Sequence, residues 1–317
     1  MISRYKQDAS PKVSIIIAHL NNISCLVDCI CSLNEISYPY YDIFIVHNGV
    51  KSNTLPNALA QLSKYIADIV DTGNNIGFSA GNNVGIKRAL QKGAEYVLLL
   101  NDDTVVSPHF LNILVEHALK SSYAGITGPR IFYFNEPEKI WFAGAQIDPE
   151  VFNIRTFNYD HREDGEIENP IESDYITACA LLISKEVIKT IGMLDERFFL
   201  YWEDVDWGMR AKKVGFKNLV IPSAHVWHKV SLSSGGMDSL IRVYHKTRSH
   251  LLLVRLHAPK TLPKLHIKFI RDIAWLLLKS NDRNRFKRAR AYIAAIKDYH
   301  KGKTDKGPQW IWNDDKN

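Results

Sequence analysis

Residues 96–103 read YVLLLNDD. Five aromatic and aliphatic side chains follow one another without a polar break. That run is too short for a buried helix and suits a strand covered on both faces. It stops at Asn101-Asp102-Asp103, an amide and two carboxylates where a strand should end. Working outward, VSIII (13–17), IFIV (43–46) and DIV (68–70) are short runs rich in β-branched residues, bounded by polar residues or Gly. Amphipathic segments at 22–34, 55–66, 82–92 and 108–119 alternate with them; Pro108 suits a first helical turn and Ser107 its cap. Strands alternating with helices predict an α/β fold, a mostly parallel central sheet flanked by helices. In such sheets ligands bind outside the carboxyl ends of the strands. The positions to inspect are therefore Ala18-His19, His47-Asn48, Asp71 to Gly77, and Asn101 to Asp103.

The pattern changes after residue 125. Segments 125–133 and 139–147 read as strands, 148–173 as a polar loop or hairpin, and 174–183 (DYITACALLI) as another buried strand. A helix over 203–214 should end at Gly215, followed by a strand at 217–221 and a His-bearing turn at 225–236. Residues 240–300 read as basic amphipathic helices and 301–317 as a loose tail carrying Trp310 and Trp312. This divides the chain into a domain over 1–240, with halves at about 11–130 and 131–240, and a helical region over 241–317.

With 317 residues and 46% apolar content, the chain can bury a large core. Its net charge is +6, and beyond residue 240 Lys and Arg outnumber Asp and Glu by about three to one. A basic end of this kind suits an anionic membrane surface, an anionic acceptor or nucleic acid, and it also suits a plain solvated helix face. Cys25, Cys29, Cys31 and Cys179 make neither a CxxC pair nor a zinc set. Three of them fall on one predicted helix, so they read as reduced thiols of a cytosolic protein. Met1 to Lys12 lacks the apolar core of a signal peptide, and Ile273 to Leu278 is too short to span a bilayer. The expectation is a soluble or peripheral protein.

Residues 198–207, FFLYWEDVDW, set Glu203, Asp204 and Asp206 within one helical turn behind four aromatic rings. Crowded, partly desolvated carboxylates are raised toward working pH, which suits a base that takes a proton from a hydroxyl. An ordinary acidic helix start uses the same residues. Asp102 and Asp103, at a strand end, can hold a divalent ion such as Mg²⁺ or Mn²⁺ that a substrate diphosphate completes; an Asx turn is the plainer reading. The run from Asn74 to Gly85 offers glycines for close backbone approach and Asn side chains that donate and accept, leading into a helix near Asn82. It is neither GxGxxG nor Walker A, which argues against dinucleotide or ATP chemistry. Of His225 and His228, at most one can face a metal from a regular strand. His225 reads as structural, and His228, beside the Gly235-Gly236 loop, as a ligand or phosphate contact.

Taken in order, these pieces resemble the family 2 inverting glycosyltransferases with the GT-A fold, and most of all their rhamnosyltransferase-like branch. The resemblance covers roughly residues 11–255. It is carried by VSIII and Asn21, NIGFSAGNNVGI at 75–86, LLNDDTVV at 99–106, GMLDERFFLYWEDVDWGMRAKKVG at 192–215, VWH at 226–228 and YHKTRS at 244–249. It implies that Asp103 binds the metal, with Asp102 at the ribose or the metal shell. It makes Asp204 the general base with Glu203 beside it, and His228 an aid to the metal or diphosphate. Asn75, Gly77 and Asn82 would line the nucleotide-sugar pocket, together with Ala18, His19, His47 and Asn48. The implied reaction is inverting transfer from a nucleoside-diphosphate sugar, dTDP-rhamnose or a UDP-hexose, to a hydroxyl of a cell-surface glycan or lipid-linked acceptor.

Three positions depart from the family pattern. Leu20 replaces a base-stacking aromatic, His47 in IVHN replaces the Asp of IVDN, and Ala178 stands where Gly is usual near the sugar. The first two fall in the base pocket, the third in the sugar subsite. The QxxRW signature of processive synthases is absent, since Gln309-Trp310-Ile311-Trp312 lacks its Arg, so single addition is expected. The basic helices would then hold the enzyme at the inner face of the cytoplasmic membrane. Two other classes compete: a catalytically silent nucleotide-sugar binder, and a nucleic-acid-binding protein using the basic end. On the leading reading no nucleic acid is expected.

Overall fold

The computed structural model describes residues 10–49, 59, 61–120, 123–149, 152–162, 169–230, 239–280 and 282–313. The helix expected over 55–66 does not extend through its second half, where residues 61–65 turn and Ile66 opens a strand; 55–58 and 60 lie outside the described residues, as does the Gly235-Gly236 loop. The first half alternates as its apolar runs predict: β1 (Val13–His19), α1 (Ile23–Asn34), β2 (Tyr41–His47), β3 (Ile66–Asp71), α2 (Phe78–Gln91), β4 (Tyr96–Leu100), β5 (Thr104–Val106) and α3 (Phe110–Lys120). Then come β6 (Ala124–Tyr133), β7 (Ile140–Phe142), β8 (Ala145–Ile147), β9 (Ile154–Thr156), β10 (Ile171–Ser173), β11 (Ala180–Ser184), α4 (Lys185–Ile191), α5 (Glu203–Lys213) and β12 (Lys217–His228). Helices α6 (Leu240–His257), α7 (Leu262–Leu278), α8 (Arg285–His300) and α9 (Gln309–Asn313) close the chain.

Ten strands form one sheet, in the order β10-β12-β6-β11-β4-β1-β2-β3, with β5 on β12 and β7 on β6. It is parallel across β3-β2-β1-β4 and mixed beyond. The register decides what meets at its lip. His19 lies opposite His47, and His47 opposite Asp71, so three strand ends are level. Ile16 lies opposite Leu99, and carrying that register three residues on sets His19 against Asp102. Fully buried Ile15, Ile16, Ile17, Phe44, Leu98 and Leu99 form the core beneath, each contributing about 1.5–3 kcal/mol on leaving water.

Several boundaries differ from the sequence reading, each for a tertiary reason. The strand expected over 174–183 is confined to Ala180–Ser184; Asp174 to Cys179 turns instead, its polar groups satisfied through Ser173, Asn218 and Asp204. Strand β12 continues through His228, because β6 supports it in parallel and β5 caps it antiparallel; His225 and His228 are strand residues. The 139–147 segment splits into β7 and β8 at Gly144. Helix α2 begins at Phe78, four residues before Asn82, with Gly77 as its N-cap at φ 95°. The tail is not loose up to residue 313, since α9 packs Ile311 beside Leu240 and Tyr244, and Trp312 against Phe199 and His245. Helix α6 is buried along most of its length, and Leu251, Leu253, Val254, Leu265 and Phe269 belong to the main core. No helix among the described residues is long and apolar enough to cross a membrane.

Candidate active site

At the sheet lip Asp102 and Asp103 each meet an imidazole. His19 Nδ1 lies 2.7 Å from Asp102 Oδ2, both groups buried. Burial raises the Asp102 carboxyl and His19 opposes that shift. Asp103 is 2% exposed, and His228 Nε2 lies 3.0 Å from its Oδ1. This pairing follows from sheet geometry: His228 is opposite Thr104 in the β5–β12 ladder, and the Lys229 backbone N–H donates to the Asp103 carbonyl at 2.9 Å. Burial alone would lower His228; the Cys179 thiol and the Asp103 carboxylate outweigh it and hold the imidazole well above its usual value. His225 packs edge-on against Phe132 and Trp227, away from this group.

The Asn and Gly residues around 75–85 hold the protein to itself. Asn48 donates to the Gly77 carbonyl at 2.9 Å and accepts from the Ile76 N–H at 3.0 Å. Asn75 accepts from the Gly77 N–H at 3.0 Å, and Asn82 donates to the Phe78 carbonyl at 2.9 Å. The start of α2 is stapled to the 194–199 loop: the Phe78 N–H donates to the Phe199 carbonyl at 2.7 Å, and the Ser79 hydroxyl to the Phe198 carbonyl at 2.7 Å. A Cβ on Gly77 would meet Phe199 at 2.8 Å, and one on Gly85 would meet Ile16 at 2.4 Å. Both glycines thus serve close approach between chain segments.

The second carboxylate group begins α5. Tyr201 and Trp202 precede it with φ of 67° and 73°, left-handed for two bulky side chains in a row; such residues cost about 1–3 kcal/mol each and persist only where packing over-determines them. Trp202 is fixed by its indole N–H donating to the Lys246 carbonyl at 3.0 Å and by the His250 ring stacked at 4.2 Å. Downstream, Asp204 Oδ2 accepts from the Ala178 N–H at 3.1 Å and Oδ1 from the Val205 N–H at 2.8 Å. Burial raises its carboxyl, and these N–H donors restrain the rise. Glu203 is 5% exposed, and its Oε2 has no hydrogen-bond partner among the described residues. Burial, then the neighbouring Asp204 charge, push it well above the carboxylate range, and the two backbone N–H donors make Asp204 the better seat for the charge of this pair. Asp206 faces the other way, bound to Arg210 at 2.8 Å and His257 at 2.8 Å, and belongs to the scaffold.

One turn joins the two groups. The Asn101 N–H donates to the Cys179 carbonyl at 2.9 Å, so the approach to Asp102 and Asp103 is tied to the residue that follows the Ala178 amide bound by Asp204. The buried Cys179 thiol is raised by burial and also feels both Asp103 and Asp204. Among the described residues no three His, Cys, Asp or Glu side chains converge as a metal cage. Asp103 could hold a divalent ion that a substrate diphosphate and water complete, and His228 could join it only by giving up the proton it shares with Asp103. Sequence reading missed the Ala178 amide, the Trp202–His250 stack and Lys246, whose lowered amine feels Asp204. Only the YHKTRS run at 244–249 signalled the last of these.

The family model described as Glycosyl transferase family 2 matches residues 14–192. The chain is 25% identical over 262 residues to the dTDP-rhamnosyl transferase RfbF of Shigella flexneri, covering 80% of this chain and 84% of that protein. It is 24% identical over 238 residues to an N-acetylglucosaminyl-diphospho-decaprenol L-rhamnosyltransferase of Mycobacterium tuberculosis (strain ATCC 25618 / H37Rv), covering 68% and 75%. The crystal structure of GalNAc-T7 with UDP, GalNAc and Mn²⁺ aligns with a TM-score of 0.62 at 14% identity, over 96% of this chain and 56% of that one. The mannosyltransferase PcManGT from Pyrobaculum calidifontis, in complex with GDP-Man and Mn²⁺, aligns at 0.54 and 12% identity, over 92% and 76%. At these identities the structures share the fold.

Proposed function

The chain belongs to glycosyl transferase family 2, and from that premise we propose a metal-dependent inverting transferase with Asp204 as its base. The donor is a nucleoside-diphosphate sugar, with dTDP-rhamnose favoured by the likeness to RfbF and to the mycobacterial rhamnosyltransferase; a UDP-hexose is the other candidate. The observation that carries the proposal is the 177–180 turn, which ties Asp204 on one side to the approach of Asp103 on the other. Mg²⁺ or Mn²⁺ held by Asp103 and His228 would neutralise the diphosphate leaving group. The metal-bearing fold neighbours support that assignment.

Asp204 accepts the proton of the acceptor hydroxyl as that oxygen bonds to the anomeric carbon. The bond from that carbon to the diphosphate breaks on the opposite face, so one displacement inverts the centre. The neutral Glu203 beside it keeps a second negative charge away from the diphosphate. His19 orients Asp102 toward the ribose, and His47, Asn48, Asn75, Gly77, Asn82 and Ala18 shape the donor side. The acceptor is a hydroxyl of a glycan or lipid-linked intermediate, as the mycobacterial relative's name indicates for that protein.

A peripheral place on the cytoplasmic membrane follows from α7 and α8. Ile270, Trp275, Leu278 and Phe286 are exposed on these helices, and the groove holding Trp275 and Leu278 is lined by Lys268, Arg271 and Lys279, with Asp272 as its one acid among the described residues, the mixture of apolar and basic side chains that an anionic bilayer takes up.

The test is a panel of dTDP-, UDP- and GDP-sugars with Mn²⁺, read by thermal unfolding and by the anomeric configuration of the transferred sugar. One donor should raise the melting temperature only with metal and give the inverted product. Retention of configuration, or no donor protecting, would overturn the proposal.

A further inference from the structure

A cavity of about 270 Å³ opens beside the start of α5, between α6, α7 and α8. Arg242, Lys246, Lys268 and Arg288 line it, with Trp202 and His250 between, and among the described residues no carboxylate does. Lys268 and Arg288 have carboxylate partners outside it, Asp272 at 2.7 Å and Asp282 at 2.6 Å. Arg242 and Lys246 stand four apart on one helix face, where like charges oppose folding. Lys246 lies over the Tyr201 ring at 5.4 Å. Burial and Arg242 push its amine down to about 8, with Asp204 opposing. His250 is held neutral by burial, its Nε2 turned to the Phe152 carbonyl at 2.8 Å. A pocket that gathers cations at a cost to stability, one of them over the Tyr201 ring just ahead of the proposed base, is complementary to an anion.

We infer that this cavity seats the phosphate or diphosphate through which the acceptor is joined to its carrier. The inference rests on the sugar-transfer reading. An anion bound by Arg242 and Lys246 would bring the hydroxyl of the attached sugar to Asp204, while the donor's own diphosphate belongs at Asp103 and His228. Lys268 is shared with a second groove along α7 that carries Trp275 and Leu278, a path for an apolar carrier chain leaving the charged pocket.

The experiment uses the full chain loaded with Mn²⁺ and dTDP or UDP, so that the donor side is filled. Farnesyl diphosphate, inorganic diphosphate and farnesol are titrated by calorimetry. Farnesyl diphosphate should bind, and Arg242→Gln and Lys246→Gln should each weaken it about tenfold, with nucleotide affinity unchanged. Lys246→Arg should keep the binding. Farnesol should fail to compete, while inorganic diphosphate should compete more weakly than the lipid. Unchanged farnesyl diphosphate affinity in both Gln variants would overturn the inference, as would farnesol binding equally well. Inorganic diphosphate matching the lipid form would make the cavity a free-phosphate site and overturn the carrier assignment. Loss of farnesyl diphosphate binding in Asp103→Ala, with both Gln variants normal, would place the probe on the donor side. Failure of every nucleotide to bind would sink the transferase reading instead, while the cavity titration could still be read.

Discussion

Two carboxylate pairs lie on either side of the 177–180 turn, and they are neutralised in different ways. At the sheet lip Asp102 has His19 at 2.7 Å and Asp103 has His228 at 3.0 Å, so each carboxylate has an imidazole partner. At the start of α5 no imidazole or guanidinium binds Glu203 or Asp204 among the described residues; backbone N–H groups hold Asp204, while burial and the Asp204 charge raise Glu203. The first arrangement sets each carboxylate against a polar ring at the lip where a cation and a diphosphate would sit. The second keeps one carboxylate ionised, poorly solvated and ready to take a proton. Pairing and burial therefore divide the labour between residues of the same chemical type.

The largest effect that could break this contrast is Asp204→Asn. Transfer should fall by roughly 10²–10⁴ with metal-dependent nucleotide protection intact; retained turnover would remove Asp204 from the base role. Asp103→Ala should show the reverse pattern, weakening nucleotide binding about tenfold or more only when Mn²⁺ is present. Equal affinity with and without metal in both proteins would refute its assignment. Asp206→Ala should act on stability, by about 3 kcal/mol, since it removes the buried carboxylate that Arg210 and His257 share and leaves Arg210 with the Ile191 and Met193 carbonyls. A chemical denaturation curve matching wild type would show that this carboxylate is not part of the scaffold.

The smallest effect is the sharpest on the acceptor side. Glu203 is raised in the folded state, so folding binds a proton there, and stability is lost as pH rises above the unfolded value of about 4.3. Glu203→Gln removes that loss. Its melting temperature should match wild type near pH 4 and exceed it increasingly toward neutrality. A Gln variant less stable at neutral pH would mean that Glu203 is ionised and paired. Trp275→Glu with Leu278→Glu should reduce association with anionic vesicles without touching Leu265 and Phe269 of the same helix, which are part of the main core. Both forms partitioning equally onto anionic vesicles would remove the membrane role.

Much of the donor side was legible because it depends on near neighbours in sequence. YVLLL is a strand by composition, and the carboxylates that follow it must emerge at the lip. The roles of 75–85 were less legible. Its Asn and Gly pattern looks the same whether it meets a ligand or another loop, and here Gly77 meets Phe199 and Asn48 holds the Gly77 carbonyl. ITACALLI is apolar but for Thr177, yet only its second half is a strand. The first half is a buried turn whose Ala178 N–H binds Asp204, a contact spanning 26 residues. Lys246 looked like one more charge on a basic helix until packing placed it between Tyr201 and the start of α5.

By itself the sequence determined the alternation of strands and helices, the carboxylates at 102–103 and 203–204, and the family. Those properties are written in local periodicity and in motifs that need no partner to be read. Only the tertiary structure decided which carboxylate is paired, which holds the proton, and which basic residues line a cavity with no acid. Protonation and pairing depend on burial and on distances of a few ångströms between groups far apart in the chain, and those distances exist only once sheet register and helix packing have been set.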